Sequence, residues 1–458
     1  MTTSDRLGTT PDRHEAASDA TDAAAVDVVS PHDKVVRKAT VAGAIGSFVE
    51  WYDYGIYGLL VTYLALTIMG EADAGSLFLT NVGFLVSFVA RPFGSVICGY
   101  IGDRIGRKSL LAALLILISA STAAIGLIPS AGVIGVAAPV LLVLLRVLQG
   151  FSAGGEVAGA MSFVGEYAPD HRRNYMMSFI AVGSFVALMV GSVLSALLIT
   201  VLGDDAMASW AWRVPFLLAV PLGYVGFYIR RRLEETPHFE ALREQNTVAR
   251  NPLREALGSS RHRKAIALTV FLPALNGPGY YLLFVYMPTY LKTSLGENNF
   301  SMLRALLVTA VSLVAVAVCI PLMARLSDRI GRKPVLAGSA IAMALVSYPM
   351  FSLITTGRIG LACVGTVVLA VAFSGHAAVI HTVLAEMFPT TVRYSAYSIG
   401  FSLSTIIFGG SAPLLMTELI ESTGSQLVPA FAAILTALIT LVSLVFVTET
   451  KGRPLAAR

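Results

Sequence analysis

The sequence predicts an all-α membrane protein with twelve transmembrane helices in two six-helix halves. Three observations predict it: an apolar composition broken into twelve runs, a one-sided distribution of basic residues and an internal repeat. Of the 458 residues, 55% are hydrophobic and 13% charged, against roughly 45–50% and 25% in soluble domains, which excludes an ordinary cytosolic enzyme. A bilayer core about 30 Å thick takes about 20 apolar residues per helix, so twelve spans and short loops fit this length. Lipid offers the backbone no hydrogen-bond partners, and long unbroken apolar runs satisfy themselves as helices rather than as alternating barrel strands.

Residues 1–33 hold seven acidic side chains and no apolar stretch, as expected of a disordered tail without a cleaved signal. The first half, 34–229, then carries spans near 41–68, with SFVEWYDYGIYG; 78–101, with RPFG; 109–129, after a DRIGRK loop; 136–157, with RVLQGFSAGGE; 175–201; and 212–229. A charged linker, 230–264, separates it from the second half, 265–447. There the spans fall near 265–291, with NGPGYYLLFVYMPTY; 304–325; 334–355, after a second DRIGRK; 360–384, with His376 and His381; 396–418; and 428–447. Residues 448–458 form a short tail.

With the amino terminus inside, 27 of the 33 Lys and Arg fall in the tails and cytoplasmic loops and three, Lys292, Arg304 and Arg358, on the other side. The positive-inside rule therefore puts both termini in the cytoplasm of a multi-pass protein of the cell membrane. The net charge of +5 is membrane anchoring and implies no nucleic-acid partner. Cys98, Cys319 and Cys363 show no metal-ligand spacing. No Walker loop, HExxH or Ser/His/Asp set is visible, so neither an enzyme nor a cofactor is expected. The expected partners are the bilayer, protons and a small-molecule substrate, with no obligate protein partner evident.

GDRIGRKS from Gly102 recurs as SDRIGRKP from Ser327, an offset of 225 residues. GEYAPDHRR from Gly165 and AEMFPTTVR from Ala385 repeat at an offset of 220. Duplicated halves of this kind build many secondary transporters, with the substrate between them near the midplane. In the loops, Asp103 and Asp328 have the chemistry to accept hydrogen bonds from helix-start amides or to pair with arginine across the cytoplasmic face. Together with Arg104, Gly106 and Arg107, and with Arg329, Gly331 and Arg332, they form a candidate gate, since anchoring by charge alone would not repeat an Asp and a Gly.

At 100° per residue, Glu50, Asp53, Tyr54 and Tyr57 share roughly a 100° arc of span one. Ionisable groups in a span are costly and face a cavity or a partner, which makes Glu50 or Asp53 the proton-coupling candidate and Arg91 the natural partner. In span four, Arg146, Gln149, Ala153 and Glu156 share a face, while Gly150, Gly154, Gly155 and Gly159 read as close helix packing. In span seven, Gly277, Pro278 and Gly279 loosen the helix, with Asn276, Tyr280, Phe284 and Tyr290 on one side. Substrate candidates are thus Arg91, Arg146, Tyr54, Tyr57, Glu156, Asn276, Tyr280 and Phe284. His376 and His381 lie about 140° apart on their helix and read as separate neutral histidines, each bonded to a neighbour.

Gly99, Asp103, Arg104, Gly106, Arg107 and Lys108 match the loop pattern of the major facilitator superfamily, which this chain resembles over nearly its whole length. EWYDYGIYG, RPFG, QGFSAGGE, WRVPF, EETPHF, YMPTYL and EMFPTTVRYSA together are similar to the metabolite:proton symporter family, most of all to its proline/betaine transporters. Val157 and Ala396 depart from that pattern, where relatives carry Tyr and Gly. The resemblance implies the major facilitator fold and proton-coupled import of a small polar metabolite by alternating access. The expected substrate is a zwitterion such as proline or betaine; the alternatives are an organic acid such as shikimate, 2-oxoglutarate or citrate, or an exporter's cargo. Span five, FIAVGSFVALMVGSVL, lacks the Pro of the run by which drug exporters resemble one another.

Overall fold

A computed structural model describes residues 31–70, 74–105, 107–231, 258–295, 300–389, 393–453 and 455, and all the regular structure among them is helical. The first half comprises α1 (Pro31–Leu59, continued by Val61–Leu64 and Ala65–Met69), α2 (Ala74–Ile105), α3 (Arg107–Gly126), α4 (Ala137–Tyr167), α5 (Arg173–Leu202) and α6 (Arg213–Leu217 with Ala219–Arg231). The second comprises α7 (from Ser260–Phe271 through Tyr290–Ser294), α8 (Met302–Ile330), α9 (Arg332–Ile354), α10 (Ile359–Glu386), α11 (from Arg393–Ser404 through Ala412–Thr423) and α12 (Val428–Val445).

Nine helices among the described residues are long and apolar enough to cross a bilayer, and the bent pair Asp204–Ala211 with Arg213–Ile229 makes a tenth. The other two of the twelve fall short for identifiable reasons. α1 carries Glu50, Asp53 and six aromatic side chains, and the apolar part of α3, Leu110–Gly126, is short. Several helices outrun the expected spans, α4 to Tyr167 and α8 to Ile330, because a helix continues into water past the end of the apolar run. α1 likewise starts at Pro31, inside the segment 1–33 expected to be tail, and proline is well suited to a first helical turn. Residues 1–30 and most of the expected linker lie outside the described residues.

The helix contacts repeat between halves. α1 packs on α5, α2 on α4 and α3 on α6, as α7 does on α11, α8 on α10 and α9 on α12. Two seams join the halves, α5 with α8 and α2 with α11, and each becomes the other when six is added or subtracted. The α2–α4 seam depends on glycine: a Cβ at Gly150 would strike the carbonyl of Ser87, and one at Gly154 that of Arg91, so these residues set the close helix approach the sequence suggested.

α7 is irregular where Gly and Pro predicted it. A 3-10 turn over Leu272–Leu275 gives way to a π-helix over Gly277–Tyr286. The break unsettles backbone groups that lipid cannot satisfy, and Thr440 of α12 answers them, its hydroxyl donating to the Leu272 carbonyl (3.1 Å) and accepting from the Leu275 amide (3.2 Å). The wider π turns also scatter the expected aromatic face. Phe284 packs against Phe185, while Tyr290 donates to the Gln426 carbonyl at 2.7 Å.

Candidate functional site

Both acids of α1 are buried, and each has an arginine. Glu50 Oε1 is 3.2 Å from Arg91 Nη2, and Arg91 Nε donates to Tyr54 Oη at 3.3 Å. Asp53 Oδ2 lies 3.8 Å from Arg146 Nη1. Arg146 donates to Gln149 Oε1 and Ser87 Oγ, both at 2.9 Å. Asp53 Oδ1 accepts from Gln149 Nε2 and from Thr122 Oγ1, the latter at 2.5 Å, whereas Oδ2 is enclosed without a hydrogen-bond donor among the described residues. Aromatic faces hold the guanidinium carbons, 4.5 Å over Tyr54 for Arg91 and 4.1 Å over Tyr57 for Arg146. Pairing and cation–π contact are how two buried guanidinium groups become tolerable in an apolar bundle.

A cavity of about 30 Å³ lies between the halves, room for one or two waters. Its wall includes Glu50 and Trp51 of α1, Glu156 of α4, Phe185 of α5, Asn276 and Tyr280 of α7 and His381 of α10. Trp51 and Tyr280 meet at 4.5 Å between ring centroids, and Tyr280 and Phe185 at 4.9 Å. Of the eight substrate candidates, Glu156, Asn276 and Tyr280 reach this wall, and Arg91, Arg146, Tyr54, Tyr57 and Phe284 do not. The arginines are turned to acids and aromatics of their own half. Trp51, Phe185 and His381 went unmarked as site residues. His381 is bonded as expected, its Nδ1 2.7 Å from Tyr397 Oη, while both ring nitrogens of His376 are enclosed without partners.

At the end of the bundle where α8 meets α9 the repeats close on one another. Asp328 accepts from the backbone amides of Asn174 (3.3 Å) and Tyr175 (2.9 Å), capping α5 from the opposite half, and pairs with Arg332 at 2.8 Å. Glu386 takes Arg173 at 2.9 Å and Arg332 at 3.3 Å and accepts from Thr450. Arg393 reaches Glu166 at 3.4 Å. Glu166–Arg393 and Arg173–Glu386 are thus one cross-half ion pair made twice, at the 220-residue offset of the second repeat. Gly331 joins α8 to α9 at φ +113°, where a side chain would be strained and would crowd Glu449. Burial pushes the Glu449 carboxyl up, but backbone amides of Arg332, Lys451, Lys333 and Thr450 outweigh this and hold it below the usual carboxylate value, so it caps α9 as an anion. Arg329 contributes its carbonyl, to Lys451 Nζ at 2.5 Å. The side chains of Asp103, Arg104 and Arg107, and all of Gly106, lie outside the described residues.

The Major Facilitator Superfamily profile matches residues 43–308, and that of the Sugar (and other) transporter family residues 243–457. The chain belongs to the major facilitator superfamily. This facilitator is 38% identical to the glycine betaine/proline/ectoine/pipecolic acid transporter OusA of Dickeya dadantii, over 94% of its own length and 86% of OusA. It is 36% identical to the ectoine/proline transporter ProP of Corynebacterium glutamicum and 34% to the proline/betaine transporter of Escherichia coli, each over 94% of this chain and 87% of the other. Among solved structures, the proton:xylose symporter XylE bound to 6-bromo-6-deoxy-D-glucose superposes with a TM-score of 0.75 at 17% identity, covering 93% of the facilitator and 98% of XylE. The partially occluded inward-open xylose transporter XylE of E. coli gives 0.71 at 18%, covering 92% and 100%. These structural likenesses concern the fold alone.

Proposed function

We propose that this facilitator is a proton-coupled importer of a small zwitterion such as proline or betaine, working by alternating access. The observation that carries the reading is the character of the cavity wall, where two carboxylates, Glu50 and Glu156, stand with the rings of Trp51, Tyr280 and Phe185. Such a wall attracts a cationic or methylated ammonium end. A dicarboxylate needs two arginines on that wall, and Arg91 and Arg146 stand behind it. The names of the transporters to which the chain is similar support the same substrate class. With about 30 Å³ of space, the cavity admits substrate only when the halves part, as alternating access requires.

In this reading Asp53 carries the proton. Its Oδ2 lacks a hydrogen-bond donor and sits near Arg146, so protonation there loosens one ion pair and links proton occupancy to conformation. Glu50, on the cavity wall, serves the substrate, and Arg91 behind it is its ion-pair partner. Asp328, Arg329, Gly331 and Arg332, with Asp103, Arg104, Gly106 and Arg107 by the repeat, form the cytoplasmic gate. The proton gradient supplies the driving force and no cofactor takes part. The facilitator lies in the cell membrane with its termini in the cytoplasm, supported by the 27 to 3 split of basic residues.

Two measurements test the proposal. Purified protein in sealed vesicles is expected to concentrate labelled proline or betaine under an inwardly directed proton gradient, with shikimate and 2-oxoglutarate not competing; the reverse competition pattern overturns the substrate. In a cysteine-free background, single cysteines at Asp205 and Ser422 are expected to react with impermeant thiol reagents in intact cells and one at Arg329 only after permeabilisation. Reaction at 329 in intact cells overturns the orientation.

A further inference from the structure

A zwitterion has two ends, and the charged side chains that α1 and α4 present to the cavity are carboxylates suited to only one of them. The opposite wall, on α10, carries His381. Its Nδ1 lies 2.7 Å from the hydroxyl of Tyr397, a fully buried residue of α11. Among the described residues Tyr397 Oη makes no other hydrogen bond, so if the imidazole donated to it the phenolic proton would be stranded in the protein interior, at a cost of roughly 1–3 kcal/mol. The satisfied arrangement has Tyr397 donating to Nδ1, which leaves the neutral imidazole with its proton on Nε2. That nitrogen is not sealed in protein, as both nitrogens of His376 are five residues earlier. It belongs to a half-buried ring in the cavity wall, a wall that also includes the amide-bearing Asn276.

We propose that His381 is the residue that selects for the substrate's carboxylate, donating to it through Nε2–H, with Tyr397 as the positioning residue that fixes the donor tautomer. This rests on the zwitterion reading above. The substrate then bridges the halves, its ammonium among Trp51, Tyr280 and Glu50 and its carboxylate on α10. Both ends are satisfied together only when the halves draw in, so substrate binding itself favours closure.

The test uses purified protein in lipid nanodiscs, with affinities for glycine betaine and for choline, which keeps the trimethylammonium and replaces the carboxylate with a hydroxymethyl group. His381→Leu is expected to weaken betaine roughly tenfold or more, the size of one charge-assisted hydrogen bond, and to leave choline within about twofold. The unchanged choline affinity reports a folded site. Tyr397→Phe is expected to weaken betaine a few-fold by freeing the tautomer, again sparing choline. His381→Gln, which restores a donor, is expected to recover most of the loss, and Trp51→Ala to weaken both ligands. Betaine affinity unaffected by His381→Leu, or betaine and choline weakened equally, overturns the role of His381 and leaves the zwitterion reading standing. Wild-type protein that binds neither proline nor betaine overturns the zwitterion reading first.

Discussion

Protein carrying Asp53→Asn is expected to let substrate run down its gradient across a vesicle membrane and to lose accumulation driven by a pH difference. One pH unit stores about 1.4 kcal/mol per proton, enough for roughly tenfold accumulation at one proton per substrate, so the expected change is from about ten to about one. The geometry explains why the loss is confined to coupling. Asp53 stands outside the cavity wall, and its Oδ1 contacts with Gln149 and Thr122 are ones an asparagine oxygen keeps. Removed instead are the negative charge 3.8 Å from Arg146 and, in the proposed reading, the group that takes up and releases the proton. Glu50→Gln acts differently, because Glu50 lines the cavity: accumulation persists while substrate affinity falls. Accumulation retained in Asp53→Asn and lost in Glu50→Gln would reverse the assignment.

Glu386→Ala is expected to hold open the gate proposed for the cytoplasmic face. The carboxylate receives Arg173 and Arg332, both about 1% exposed, and its removal leaves two guanidinium groups enclosed with reduced pairing. Breaking a buried pair from one side costs about 3–5 kcal/mol, and opening relieves that cost by letting water reach the arginines. A bias of this size shifts the populations roughly 100-fold or more toward the open state. A cysteine at Ser402, buried beside Ser95 where α11 meets α2, then reacts rapidly with impermeant reagents from the cytoplasmic side, and transport falls. Glu166→Ala is the milder counterpart, since Arg393 keeps hydrogen bonds to the Ala385 and Phe388 carbonyls. Closed-state reactivity at 402 in the Glu386→Ala protein sinks the gate.

These residues show how far the sequence was legible. The twelve spans, the two halves and the partnership of an α1 acid with Arg91 were readable because each follows from a large cost: desolvating backbone, leaving duplicated halves unpaired, or burying an unpaired charge. Asp328 was readable because its motif occurs twice. Glu386 and Arg173 were not, since they are 213 positions apart and each alone resembles an ordinary charge at a helix end. Trp51 escaped notice because an aromatic ring in a span is usually packing, and only the convergence of α1, α5 and α7 turns it toward a cavity. Helical periodicity kept Phe284 with Tyr280 against Phe185 but misplaced Tyr290, because it presumes an α-helix where α7 widens into π turns.

The strap formed by Glu449, Thr450, Lys451 and the Arg453 carbonyl reaches from beyond α12 to the residues of the proposed gate. A ribosome adding about 5–20 residues per second reaches Glu449 tens of seconds after Arg173. Late in that interval α5 and α8 are complete, while the amides at the start of α9 still lack their cap. Biogenesis therefore delivers the halves first and this strap last, so a chain stalled or clipped after α12 is expected to insert with the proposed gate unfastened.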